Sequence, residues 1–402
     1  MFTISSSKDC IHRSSTNLKI VSLLRQRCPS SLTIPYIFMK TSLYHLIPLI
    51  SLFFLSIAFL YPTTLNAASA PIKIDVFLIA GQSNMIGNSG SKDSAPTLPA
   101  STTYQYRNGK ITSVTNTLTP GKGAAWPQFA QSYIGNSTRR VAFIQEAVGG
   151  TSQIASIDNG NGNWSTSGKL FNDSVQETTA ALAAFKKAGF DPALKGVLWG
   201  QGENDAAMIN GKRITGDEYK KELIEMIANY RTALGSTTPF YIFQTGTAVD
   251  RNDSGFAAVR RAQDEIAATD IYTDIVFRDA ITFPNRKMMD NYIHYNQAGY
   301  NEMGDRGAKS VIYLQNNKKA PKAPLASVAS GAYTATTTVS LSSTLGSTLL
   351  YSLDGQNPTC SRGTTYEKPI VFSAKGSHTL KAVACSAKKD LSLFSIYRYT
   401  IK

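Results

Sequence analysis

The stretch VFLIAGQSNMIGN (76–88) ends an apolar run at Gly81 and presents a single serine, Ser83, two residues later. A serine hydroxyl becomes a nucleophile when a base takes its proton, a third group orients that base and donors receive the oxyanion. Histidine is the usual base. Beyond residue 70 the chain has two, His294 and His378. His378 sits in KGSHTLKA, within an alternating pattern, and reads as a strand or turn residue. His294 sits in MMDNYIHYNQAGY, just before a helical pattern, and is the candidate base. The competing roles are a helix cap for Ser83 and a structural histidine for His294.

These residues need a scaffold that brings distant segments together. Five apolar runs punctuate residues 72–280: IDVFLIA (74–80), RVAFIQEAV (140–148), GVLWG (196–200), FYIFQT (240–245) and DIVFRD (274–279). Each is nearly continuous rather than alternating, the signature of strands buried on both faces. Helical patterns lie between and after them. In TGDEYKKELIEMIANYRTAL, residues Tyr219, Leu223, Met226, Ile227, Tyr230 and Leu234 share one face, and Thr215 with Glu218 forms a capping-box pattern. Strands alternating with helices predict a three-layer α/β/α domain with a mostly parallel five-stranded sheet. Ligands gather at the carboxyl ends of such strands. Those ends are residues 81–85, 149–152, 201–205 and the loop after Asp279, where the polar, glycine-rich segments fall.

Four segments, GQSNM (81–85), EAVGGTS (146–152), WGQGEND (199–205) and DNYIHYNQAGY (290–300), resemble in order the motif blocks of SGNH hydrolases. They are most similar to the branch of sialate O-acetylesterases and family six acetylxylan esterases, over roughly residues 72–315. The resemblance implies an SGNH (flavodoxin-like) fold and a nucleophile at Ser83. It also implies an oxyanion donor at the backbone of Gly149 or, preferably, Gly150. In the third block, GEND fits a general pattern whose asparagine donates to the oxyanion, here Asn204. The acetylesterase branch points instead to Gln201, which ranks first. The fourth block departs from the usual D-x-x-H: position 291 is Asn291, and the aspartate stands one step earlier, at Asp290. Family six esterases imply that the acid comes from the third block, giving a triad of Ser83, His294 and Glu203. Asp290 is the competing orienter, and a salt-bridged structural acid is the competing role for Glu203. The implied activity is removal of O-acetyl groups from carbohydrates through an acetyl-serine, without metal or cofactor. The alternative is a non-catalytic glycan-binding or surface protein retaining the fold.

The remainder sets boundaries around that site. Apolar residues make up 42% and charged residues 17%, a globular balance. The net charge is +14; residues 1–70 hold six basic residues and one acid, so about +9 remains beyond them. No dense basic block lies there, so no nucleic-acid partner is expected. Lys40, the uncharged run LIPLISLFFLSIAFLY (46–61) and the small residues of PTTLNAASA read as a leader and secretory signal over residues 1–70, with Met39 placed to be the true start. A run of 16 is short for a membrane span, which needs roughly 20. A secreted or periplasmic protein follows, with Cys360 and Cys385 an expected disulfide; Cys10 and Cys28 fall in the leader. The esterase domain is expected over residues 71–315 and a Lys/Pro/Ala linker over 316–327. A small all-β sandwich is expected over 328–402, where LLYSLDGQNPT and the strands after it resemble the C-terminal domain of chitobiases and β-hexosaminidases. Trp126, Trp164, Tyr351, Tyr366 and Tyr397 are candidate sugar platforms, with core packing the competing role.

Overall fold

The computed structural model describes residues 70–118, 122–135 and 138–402. The leader, its signal, Met39, Cys10 and Cys28 lie outside the described residues.

The first strand explains the architecture. In β1 (Ile72–Gly81) residues 76–80 are wholly buried. Side chains alternate across a strand, so Val76, Leu78 and Ala80 enter one core and Phe77 and Ile79 the other. The first core is closed by α3 (Lys169–Lys187), α5 (Gly216–Leu234) and α6 (Ser254–Thr269). The second is closed by α2 (Trp126–Ile134) and α7 (Gln297–Asn316). These are the three layers anticipated from the continuous apolar runs. The Thr215–Glu218 capping box is formed, with the Glu218 amide donating to Thr215 Oγ1 and the Thr215 amide to the Glu218 carboxylate.

The sheet has seven strands, not five. β2 (Thr103–Arg107) and β3 (Lys110–Ser113) form a hairpin that extends one edge. With β4 (Val141–Gln145), β5 (Phe190–Gly200), β6 (Phe240–Phe243) and β7 (Thr273–Phe277), the order is β3-β2-β4-β1-β5-β6-β7. Every adjacent pair is parallel except β2–β3. The hairpin turns on Asn108 and Gly109, both at positive φ (49° and 76°). That Asn-Gly pair is a hairpin signal available in the sequence.

Beyond α7 the chain becomes all-β, with a five-stranded sheet and two two-stranded ladders around a separate small core. A disulfide joins Cys360 to Cys385 within it. This region docks closely: with the α/β part it belongs to one compact unit. Buried Arg260 donates to the Gly246 and Ser330 carbonyls (2.5 and 2.8 Å) and pairs with Asp253 (2.6 Å). Lys322, in the expected linker, pairs with Asp274 at 2.7 Å. Arg398 pairs with Asp279, and the Arg278 guanidinium, bound to Asp264, lies over the Tyr397 ring. Tyr397 is therefore core rather than a platform; Trp126 and Trp164, both fully buried, are core as well.

Candidate active site

β1 delivers Ser83 by a turn that tolerates no side chain at its first residue. Gly81 has φ +120°, and a Cβ there would lie 2.1 Å from the Gly200 carbonyl oxygen. The next amide, Gln82, donates to that same oxygen at 2.9 Å. Ser83 then opens the short helix α1 (Ser83–Ile86), whose end carbonyls accept from Trp126 Nε1 (2.7 Å) and Gln145 Nε2 (3.2 Å). Strand, glycine and buttressed turn fix the hydroxyl at the carboxyl edge of the sheet.

His294 arrives from the loop between β7 and α7. Its Nε2 lies 2.9 Å from Ser83 Oγ, joining residues 211 apart in sequence. The imidazole is half-buried. Burial pushes it below its ordinary value; the Asp290 charge opposes this and Lys122 reinforces it.

Neither acid anticipated as the orienter bonds the ring. Asp290 Oδ2 instead accepts from the Gly90 amide at 2.9 Å. Glu203 opens α4 (Glu203–Asn210) and its Oε1 accepts from Asn84 Nδ2 at 2.8 Å. Asn84 also donates to the Ile293 carbonyl (3.3 Å), and its Oδ1 accepts from Tyr300 Oη (3.0 Å) and the Tyr295 amide (3.4 Å). Glu203 thus reaches the histidine loop through Asn84, on the backbone flanking His294. Burial pushes its carboxyl up. Asn84 stands inside the first motif, next to the serine, and that adjacency was its sequence signal.

The side chain facing the ring is Asn291, whose Nδ2 lies 3.0 Å from His294 Nδ1. Asn88 Nδ2 lies 3.3 Å from Nε2 and 3.4 Å from Nδ1.

The oxyanion candidates separate. Gly149 is so close that a Cβ on it would lie 3.6 Å from Ser83 Cβ; Gly150 follows at φ +72°. Gln201 is fully buried, and its amide nitrogen is committed to Asp205 Oδ2 and the Thr151 carbonyl (3.2 Å). Its backbone carbonyl receives Tyr219 Oη, Thr245 Oγ1 and Gln263 Nε2, while its side-chain Oε1 is buried without a partner. Gln201 thus bridges the second and third motif blocks. Asn204 is half-buried, and its Nδ2 is sealed from solvent without a hydrogen-bond partner. Asp205, given no role from sequence, accepts from the Gln153 amide (3.0 and 3.1 Å) as well as from Gln201; burial pushes it up to about 6.

Among the described residues no cluster of three His, Cys, Asp or Glu side chains is arranged to hold a metal ion. No described helix is long and apolar enough to cross a membrane. At the rim, Tyr292 is 58% exposed, two residues before His294, with the Arg251 guanidinium 5.6 Å over its ring.

A family model described as carbohydrate esterase, sialic acid-specific acetylesterase, matches residues 73–313. One for the chitobiase/beta-hexosaminidase C-terminal domain matches residues 328–395. Similar solved structures include a protein from Arabidopsis thaliana (18% identity over 60% of this chain and 98% of that one, TM-score 0.45). NanS shows 15% identity over 61% and 99%, with TM-score 0.48. A lipolytic G-D-S-L family protein from Veillonella parvula shows 11% over 59% and 97%, with TM-score 0.29. No curated protein matches the chain.

Proposed function

The chain belongs to the sialic acid-specific acetylesterase family of carbohydrate esterases, and from that premise we propose that it deacetylates sugars through an acetyl-serine formed on Ser83. The observation that carries this reading is the 2.9 Å approach of Ser83 Oγ to His294 Nε2. In the first step Oγ attacks the acetyl carbonyl carbon while Nε2 takes the hydroxyl proton. The tetrahedral oxyanion is received by the amides of Ser83 and Gly150 and by Asn204 Nδ2; the partnerless state of that nitrogen supports its part. Collapse breaks the ester C–O bond, and the imidazolium returns the proton to the departing sugar oxygen. Water then attacks the acetyl-serine by the same route and releases acetate. Glu203, through Asn84, holds the loop that presents the base.

The substrate class is an acetylated sugar that carries a carboxylate. The family description supports this, as does Arg251 lying over exposed Tyr292, which offers a flat surface and a cation together. The Cys360–Cys385 disulfide supports an exported protein, secreted or periplasmic.

The test is acetate release by wild type and Ser83→Ala from p-nitrophenyl acetate, O-acetylated sialic acid and acetylated xylan. Wild type releases acetate faster from the sialic acid than from xylan, and Ser83→Ala releases none. Full activity in the variant removes Ser83 as nucleophile. Silence of wild type on all three substrates favours the non-catalytic glycan-binding alternative.

A further inference from the structure

We infer that Asn291 holds His294 in the tautomer that carries its proton on Nε2, and that this amide restrains the esterase. The inference rests on the reading of Ser83 and His294 as nucleophile and base.

Asn291 Oδ1 receives the backbone amides of Ile293 (3.0 Å) and His294 (2.9 Å). Turning the amide over would point its NH₂ at two N–H groups, so the network fixes its orientation. The nitrogen end then faces His294 Nδ1 at 3.0 Å. An amide NH₂ can only donate, so it pairs with a lone pair on Nδ1. A neutral imidazole with its lone pair on Nδ1 has its proton on Nε2. That proton points at Ser83 Oγ, 2.9 Å away. A base needs the reverse: a lone pair on Nε2 to accept the hydroxyl proton.

Reaching the working tautomer sets an Nδ1–H against the Asn291 NH₂, two donors at hydrogen-bonding distance, with the existing bond lost. An aspartate at this position would keep its first oxygen on the Ile293 and His294 amides. Its second oxygen would accept Nδ1–H and stabilise the imidazolium. The other groups around the ring do not reverse the preference. Asn88 Nδ2 is almost equidistant from the two ring nitrogens. Asp290 acts on the ring through its charge but spends an oxygen on the Gly90 amide; Lys122 acts with opposite sign. Glu203 is bonded to Asn84. Asn291 is therefore a positioning residue, and its one-atom difference from aspartate sets which ring nitrogen is free.

Two measurements on the full chain test this. In protein labelled with ¹⁵N-histidine, above the titration of the ring, His294 of wild type shows an unprotonated Nδ1 and a protonated Nε2. Asn291→Asp shows the opposite. On p-nitrophenyl acetate, Asn291→Asp and the charge-conserving exchange Asp290→Asn/Asn291→Asp raise kcat by roughly ten-fold or more. The ceiling is roughly 10⁴-fold, the scale on which a serine triad loses activity when its aspartate becomes asparagine. KM changes little, and the acid limb of kcat/KM moves to higher pH, because a carboxylate at Nδ1 stabilises the protonated ring. A wild-type ring carrying its proton on Nδ1 overturns the inference even if the variants fail to fold. So does a folded Asn291→Asp whose Ser83-dependent kcat is unchanged or lower. Absence of Ser83-dependent acetate release in wild type and in both variants overturns the esterase reading and the restraint together, and the labelled spectrum separately decides the tautomer.

Discussion

At the scale of single residues, the site is a division of labour among amides. The third motif block holds two, Gln201 and Asn204, and their surroundings differ. Gln201 is bonded through its side-chain nitrogen and its backbone carbonyl, while the Asn204 nitrogen has no partner. Asn204→Ala is therefore expected to cost roughly 10²–10³ in kcat, the usual loss for one oxyanion donor, with the fold intact. Gln201→Ala removes a donor from buried Asp205 and is expected to cost about 1–3 kcal/mol of stability instead. Steady-state kinetics and denaturant titration of the two variants separate these outcomes. If Gln201→Ala loses kcat at unchanged stability while Asn204→Ala retains it, the donor is Gln201. The sequence identified both candidates and ranked Gln201 first by resemblance, but it did not show their surroundings, because Asp205 and Thr151 meet Gln201 only after folding. The acid behind His294 was illegible for a related reason. Glu203 and Asp290 were weighed as ring partners, yet Asn84 intercepts one and the Gly90 amide the other.

At the scale of elements, legibility followed the strength of the pattern. The five runs that form β1, β4, β5, β6 and β7 are dense in apolar residues because both faces of each are covered. The face of α5 was legible by helical spacing, and Tyr219, Leu223, Met226, Ile227 and Tyr230 are all buried. The β2–β3 hairpin went unseen because β3 is exposed along most of its length and carries no continuous apolar run; only its Asn-Gly turn marked it. Helix α2 was missed because a Trp-Pro start hid it beside a polar loop. The strand ends also carry a pH dependence. Glu146, directly after β4, is pushed up to about 7 by burial and then by Glu177 and Asp173. The native state therefore holds this proton more tightly than the unfolded chain, whose value is near 4.5. The stability it contributes is complete below that value and is lost as pH rises through about 7. Glu146→Gln is expected to be more stable than wild type at pH 8 and nearly equal at pH 4. Chemical denaturation at the two pH values checks this, and an equal gain at both rules out the titration as its cause.

At the scale of the whole molecule, the β region is joined to the catalytic part by buried charge rather than by a loose tether. Arg260 links the Ser330 carbonyl to Gly246, in the loop that follows β6, and Arg398 reaches Asp279 at the base of the segment carrying His294. The disulfide lies wholly within the β region, across 25 residues. The double variant Cys360→Ser/Cys385→Ser is expected to lose about 3 kcal/mol by the loop-entropy account. Its kcat in the folded state should stay within about two-fold of wild type; thermal denaturation and initial rates measure the two effects, and a collapse of kcat below the melting transition would show that the staple reaches the site. The sheet order has a last consequence, for the chain as it is born. Of this sheet's seven strands the first to be made is the middle one, and its neighbours β4 and β5 come later in the chain. Ser83 is followed by His294 only 211 residues on. A growing chain folds from its amino end, yet here the proposed nucleophile meets its proposed base only once the loop before α7 has been made. On the proposed mechanism every shorter nascent chain is chemically mute.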